Sequence, residues 1–352
     1  SAIGGIAGYT PGGPLELAYT ESDVTINAKA GNIWGLVWHA YGGSTAATNL
    51  SIHDNVVKGS ITVRDGSYGA VGGMLWNATY VRAENNVTDA GNNQIMIEGD
   101  GTVGYVGGFV GLSGSSDYIH NSTTYGIQWN TSGYIGGFGG HMGGWLASKN
   151  SATGAIGGEN GTGPRSLFIG GFVGSANYGK FYDNYSTSEI SLSQDAAAAY
   201  VGWFVGGAGG AEFRRNYSTG IVFVNHIGDY YVGGFAGPSD TYGNTPYTMT
   251  DNFSTGRYID TVGIGSVSPD YYGGFVAATG KTAADVFENN FFYNTTVNTC
   301  TGKVSPVKPA CTSVASKSVF SAATQGVYTR TGNSWDFTNT WKEVAGGLPV
   351  LR

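Results

Sequence analysis

The chain has 352 residues, with 17 Lys or Arg, 24 Asp or Glu, 61 Gly and a formal charge of −7. Charged side chains make up 12%, half the roughly 25% of an ordinary soluble domain, and Gly at about 17% is more than twice the usual share of about 7%. These figures exclude a charge-covered helical bundle, and scattered Lys and Arg under a negative net charge exclude the basic stripe of a nucleic-acid-binding protein.

Residues 1–31 match no repeated phrase and are expected to form an N-terminal cap; a start at Ser1, without a signal-peptide or lipidation pattern, is that of a processed product. From Ile33 a glycine phrase recurs: Ile33-Trp-Gly-Leu36, Val71-Gly-Gly-Met74, Val106-Gly-Gly-Phe109, Ile135-Gly-Gly-Phe138, Ile169-Gly-Gly-Phe172, Val201-Gly-Trp-Phe204, Val232-Gly-Gly-Phe235 and Tyr272-Gly-Gly-Phe275. Successive copies end 29 to 40 positions apart, the period range of stacked-repeat architectures. After a turn rich in Ser, Gly, Asn and Asp comes a second phrase, as in Asn55-Val-Val-Lys-Gly, Asn86-Val-Thr-Asp, Asn121-Ser-Thr-Thr, Asn150-Ser-Ala-Thr, Asn184-Tyr-Ser-Thr, Asn216-Tyr-Ser-Thr and Asn252-Phe-Ser-Thr. A third, alternating element follows in most copies, such as Ser60-Ile-Thr-Val and Ile221-Val-Phe-Val. Helical periodicity is absent, so each unit reads as three short strands between turns.

The same phrase returning at the same place in each unit predicts an all-β fold: a parallel β-solenoid of about eight coils over 32–290, its equivalent strands stacked at about 4.8 Å. The apolar run Ala196–Ala211 contains one glycine phrase and is shorter than the roughly 20 residues of a membrane helix, so it reads as a buried strand and a turn, with no membrane span. Residues 291–352 lack both phrases and are assigned as a C-terminal cap. They contain Cys300 and Cys311. In a reducing compartment these would be two thiols, and without His partners they make a poor zinc site. In a secreted chain they would close a local disulfide worth about 2–3 kcal/mol, which is the expectation adopted.

The tandem (Val/Ile)-Gly-Gly-Phe-(Val)-Gly phrase, the Asn-Tyr-Ser-Thr-Gly phrase and the ending Trp341-Lys-Glu-Val-Ala-Gly-Gly-Leu-Pro-Val-Leu-Arg352 resemble the GLUG-motif repeat proteins of bacterial and archaeal cell surfaces. The resemblance covers about residues 33–352. It implies an extracellular β-solenoid, often part of an adhesin or another large surface protein, and it carries over no catalytic residue.

Face by face, the glycine phrase is apolar or small on both parities, as in a strand covered on both sides. Phe109, Phe138, Phe172, Phe204, Phe235 and Phe275 then form a column that is either covered by its own chain or a contact face for another subunit. In the second phrase the residue after Asn is apolar or aromatic in five of seven copies. Its burial would send the Asn outward. Ten sequons, at Asn49, Asn77, Asn86, Asn121, Asn130, Asn160, Asn184, Asn216, Asn252 and Asn294, are read as glycosylation candidates, or else as plain turn asparagines.

Other chemistry is weak. Thr279-Gly-Lys-Thr282 lacks the Gly of a phosphate loop five positions upstream, where Phe275 stands. The residues before the repeated Asn (Asp54, Asn85, His120, Lys149, Asp183, Arg215, Asp251) form no carboxylate column, Glu98 and Asp100 read as a solvated turn, and His39, His53, His120, His141 and His226 have no metal-ligand spacing. The resulting expectation is a secreted, non-enzymatic, cofactor-free structural protein of the cell surface, a glycoprotein that associates with itself into a sheath, layer or filament. The alternative is an adhesin or carbohydrate-binding solenoid whose exposed Tyr and Trp stack on surface glycans, and a polysaccharide-active β-helix enzyme is a distant third.

Overall fold

The computed structural model describes the chain apart from residues 1, 5–6, 11–15, 30–31, 36, 43–49, 65–67, 90, 92–93, 99–102, 130–131, 159–165, 193–197, 225–228, 239–244, 261–271, 279–284, 294–298, 304–310, 321–325 and 330–334. It is an all-β parallel solenoid, as expected. Each coil carries five strands rather than three. In the fourth coil they are Val103–Gly107, Val110–Gly114, Asp117–Ile119, Ser122–Thr123 and Gly126–Trp129, on what we number faces 1 to 5. Equivalent strands pair in parallel into sheets of nine, ten, nine, ten and eight strands on faces 1 to 5.

The count of coils exceeds the expected eight because residues 1–31 are not a distinct cap. Ala2–Gly4, Ala7–Thr10, Glu16–Ala18, Glu21–Asp23 and Ile26–Ala28 form a full first coil in register with the second. A coil needs only inward apolar residues and correct corners, so it can form without the repeated phrases. At the other end the stack continues past residue 290 through Asn290–Tyr293, Thr301–Lys303 and Cys311–Val314. Among the described residues, 317–352 departs from the repeat, with a 3-10 turn at Lys317–Phe320, a helical turn at Gly326–Thr329 and an antiparallel pair between Trp341–Lys342 and Val350–Leu351. Among the described residues no helix is long and apolar enough to cross a membrane.

The glycine phrase is a sharp bend between two strands, not one strand. Gly108 and Phe109 stand between the face 1 and face 2 strands of their coil. A Cβ on Gly108 would lie 2.2 Å from the Gly137 carbonyl oxygen and 2.7 Å from Thr123 Oγ1, so only Gly allows the approach. The Gly108 carbonyl accepts from Thr88 Oγ1 (3.1 Å), that of Gly171 from Ser188 Oγ (3.0 Å) and that of Gly234 from Ser218 Oγ (3.1 Å). This waist divides the interior into two cores. One joins faces 1 and 5, with Val106, Ile135 and Ile169 against Ile127, Ile156 and Ile190. The other joins faces 2 and 3 and contains the Phe column with Val110, Tyr118, Phe181 and Phe213.

Left-handed backbone recurs between faces 2 and 3, at Tyr80, Ser115, Gly144, Tyr178 and Gly210, and again between faces 3 and 4. Between faces 3 and 4 the residue before the repeated Asn has φ of +52° to +59° in nine coils, from Tyr19 to Asn289. Asn and Asp tolerate this conformation best, yet His120, Lys149 and Arg215 occupy it too, at about 1–2 kcal/mol each. The column that looked like failed acid/base chemistry is therefore a column of corners.

Candidate functional site

The residues singled out by repetition are interior. Phe109, Phe138, Phe172, Phe204, Phe235 and Phe275 stack in one column with ring centroids 4.8, 4.9, 4.8, 4.8 and 5.0 Å apart, as a one-ring-per-coil ladder requires. All six are fully buried under their own chain, so the reading of them as a contact face is overturned. The bend at the second Gly, or at Trp203 in the coil of Phe204, turns each ring inward, and strand parity cannot be read across a bend.

The Asn column is likewise interior, correcting its expected exposure. Asn55, Asn86, Asn121, Asn150, Asn184, Asn216, Asn252 and Asn290 are 0–1% exposed. Each side-chain oxygen accepts from the coil below, and from Asn55 to Asn252 each amide NH2 donates to the coil above and to a face 3 carbonyl, while that of Asn290 donates to the Met249 carbonyl. Asn216 Oδ1 accepts from Asn184 N (2.9 Å) and Asn184 Nδ2 (3.0 Å), while Asn216 Nδ2 donates to Phe181 O (2.7 Å) and Asn252 Oδ1 (3.0 Å). In the first coil Thr20 takes the Asn position, donating through N and Oγ1 to Asn55 Oδ1. With Nδ2 buried and both its hydrogens engaged, Asn86, Asn121, Asn184, Asn216 and Asn252 cannot accept a glycan in the folded chain. The phase is inverted because the aromatic residue after Asn faces outward, where 317–352 covers it. Of the other candidates, Asn77 is half-buried on the outside of face 2, and Asn49, Asn130, Asn160 and Asn294 lie outside the described residues.

Cys300 and Cys311 are joined by a disulfide, their Cα atoms 5.8 Å apart. Its placement is informative. The Cys300 carbonyl accepts from Phe275 N and Val276 N, as each Phe carbonyl does from the coil below, and Cys311 pairs with Asn290. The bond therefore ties the top of the Phe column to the top of the Asn column.

Glu98 forms an exposed ion pair with Arg64 (2.9 Å), and Asp100 lies outside the described residues. His53 bridges Glu16 and Asp54. No group of three or more His, Cys, Asp and Glu able to hold a metal occurs among the described residues. His226, the phosphate-loop-like Thr279–Thr282 stretch and the His39 side chain are outside the description.

What does gather on the surface is non-repeating. A depression on the outside of face 2 crosses the third to sixth coils and is lined by Asn77, Leu112, His141, Asn177 and Tyr178 among others. In-register pairing brings Asn77, Leu112, His141 and Ser175 into one row across those coils. His141 Nδ1 lies 3.2 Å from Ser175 Oγ, and its ring meets Tyr105 and Tyr134 at 5.4 and 6.2 Å. Burial lowers the His141 imidazole to a pKa of about 4, so it is neutral at pH 7. The Asn177 Oδ1 at the floor is buried and accepts no hydrogen bond.

Next to His141, on face 1, stands a ladder of Tyr105, Tyr134, Phe168, Tyr200 and Tyr231 at 5.3, 4.9, 4.6 and 5.0 Å. These rings lie largely face to face, so they use their flat surfaces on one another and present edges to a ligand. This narrows the expectation that exposed Tyr and Trp would stack on sugars. The opposite rim is different. Left-handed corners at Tyr80, Gly144 and Tyr178 carry Tyr80, Trp145 and Tyr178 outward. Trp145 is 39% and Tyr178 64% exposed, and Tyr80 meets Trp145 edge-on at 62°. Sequence reasoning missed this rim because its residues do not recur; their one signal is that they interrupt the repeat. No family model matches the chain, and no curated protein matches it.

Proposed function

We propose that this chain is an extracellular, non-enzymatic recognition module: a rigid solenoid that presents a carbohydrate-binding depression on the outside of face 2. The observation that carries the reading is the exposed Tyr178 ring lining a depression with Asn77, His141 and Asn177, with the exposed Trp145 directly following the lining residue Gly144. Exposed aromatic surface next to hydrogen-bonding groups suits a ligand with apolar CH faces and a hydroxyl rim. Secretion is supported by the Cys300–Cys311 disulfide and by the resemblance to GLUG-motif surface proteins. A glycan array followed by calorimetry tests it. Binding should be weakened at least about tenfold by Trp145→Ala, a loss of about 1.4 kcal/mol. Absence of binding to every glycan on the array would overturn the reading.

A second reading, self-association into a sheath, layer or filament, no longer draws on the Phe column. It keeps one observation: among the described residues the strands at both ends of the stack are hydrogen-bonded on one side only, and open strand edges invite pairing. Sedimentation over a wide concentration range distinguishes the two, since edge pairing would give length-growing species.

A further inference from the structure

We infer that the ligand of the face 2 depression is an uncharged saccharide chain lying along the solenoid axis, crossing the third to sixth coils. The inference rests on the recognition reading above and adds the ligand's charge class and direction.

The direction follows from the flanks. On the face 3 side the depression is bounded by the corner residues Ser115, Gly144 and Tyr178 of successive coils, with the exposed Trp145 following Gly144, and on the face 1 side the Tyr105–Tyr134 ladder adjoins it through ring contacts with His141. Both flanks run parallel to the axis. The lining runs from the third coil, at Asn77 and Thr79, to the sixth, at Asn177, three coil spacings or about 15 Å along the axis at about 4.8 Å per coil. A chain of several sugar rings fits that length, whereas a single ring would leave most of the rim unused.

The charge class follows from the lining, which among the described residues includes no Asp, Glu, Lys or Arg. A carboxylate or sulfate moved from water into this trough would meet no cation, and desolvating an unpaired charge is costly. The neighbouring cation Lys180 is on face 3, around the corner, in register with Glu212. The lining instead offers the side chains of Asn77 and Asn177, the hydroxyls of Thr79 and Ser115 and a neutral imidazole. A sugar hydroxyl both donates and accepts, so it can meet such a mixed floor. The exposed Trp145 and Tyr178 rings take the CH faces.

The test uses the full chain in calorimetry against neutral β-linked gluco-, xylo- and manno-oligosaccharides, as disaccharides and hexasaccharides, with polygalacturonate and chondroitin sulfate fragments of matched length. Neutral hexasaccharides should bind at least about tenfold more tightly than the disaccharides, without dependence on salt. Trp145→Ala and Asn177→Ala should each weaken that binding by at least about tenfold while thermal unfolding shows both variants folded. Tyr178→Ala, at a more exposed position, serves if either variant fails to fold. Preferential binding of the anionic fragments, lost in Trp145→Ala, would overturn the charge class and leave the recognition site standing. Equal affinity for disaccharide and hexasaccharide would overturn the axial path. Binding of neither class would remove the recognition reading together with this inference.

Discussion

At Asn216 a single amide connects three coils. Its oxygen takes two hydrogen bonds from Asn184, and its NH2 reaches Asn252 and the Phe181 carbonyl, all in a fully buried setting. Removing it strands a backbone N–H, a carbonyl and two neighbouring amides, and each unsatisfied buried group costs about 1–3 kcal/mol. Asn216→Ala should therefore destabilise the chain by about 3 kcal/mol or more in urea unfolding, whereas Asn77→Ala on the outer face should cost less than about 0.5 kcal/mol. Equal effects at the two positions would contradict the ladder. His141 gives a pH signature. The unfolded imidazole takes up its proton below about pH 6.5, but the buried one does so only near its pKa of about 4. Between these values the unfolded state binds more protons, so stability is full above about pH 6.5 and falls as the pH drops towards 4. At about 1.4 kcal/mol per pKa unit the loss approaches 3 kcal/mol. His141→Gln should flatten this part of the pH–stability curve; an unchanged slope would show that other groups carry it.

The five-strand coil shows which elements can be read from residues and which cannot. The period, the parallel stacking and the Phe column follow from recurrence, because a residue repeated at one place in every coil must meet its own copy. The phase of the Asn phrase does not follow, since Tyr185, Tyr217 and Phe253 look like core residues and are in fact outward residues covered by 317–352. Only that long-range cover distinguishes the two phases, and a one-residue slip inverts every side chain. Thr20 carries the Asn role without the phrase, so the first coil was equally hidden. The Trp145 and Tyr178 rim was illegible for a related reason: a site made once leaves no periodic trace. At the end of the stack, Cys300 and Cys311 lock the last Phe-column and Asn-column positions together. Reducing them should lower stability by about 2–3 kcal/mol. Because each coil contacts only its neighbours, hydrogen exchange should quicken in Val276–Ala278 and Asn290–Tyr293 and stay unchanged in the fourth coil. Uniform acceleration along the chain would argue against a local lock.

Across the whole molecule, the repeated residues specify the body and the unrepeated ones its surface. Gly, Phe, Asn and the small hydroxyl residues go to bends, columns and the waist, so recurrence in this chain marks construction. A large apolar strip covers the outside of face 4, where Tyr185, Tyr217, Phe253 and Phe291 stand in successive coils. Earlier coils carry Glu21, Val56, Val87, Ser122 and Ser151 at the same place, and the aromatic run coincides with the reach of 317–352. That segment lays Phe320, Tyr328, Trp335 and Trp341 over the strip. It is fastened by Trp341 Nε1 to Asp183 Oδ1 (3.1 Å), Trp335 Nε1 to the Asp251 carbonyl (2.9 Å) and Tyr217 Oη to the Pro349 carbonyl (2.7 Å). Asp183 is held in place by a bidentate pair with Arg215 at 2.8 and 2.7 Å. Deleting 317–352 should thus leave the coil intact by circular dichroism but expose stacked rings that cost about 25 cal/mol per Å² to keep in water. The truncated chain should associate in sedimentation at concentrations where the full chain is monomeric, and do so in high salt, since the contact is apolar. Tyr217→Ser and Phe253→Ser in the truncated chain should restore the monomer. If the full chain associates as readily as the truncated one, the assembling surface lies elsewhere, and the open strand edges at the ends of the stack become the place to look.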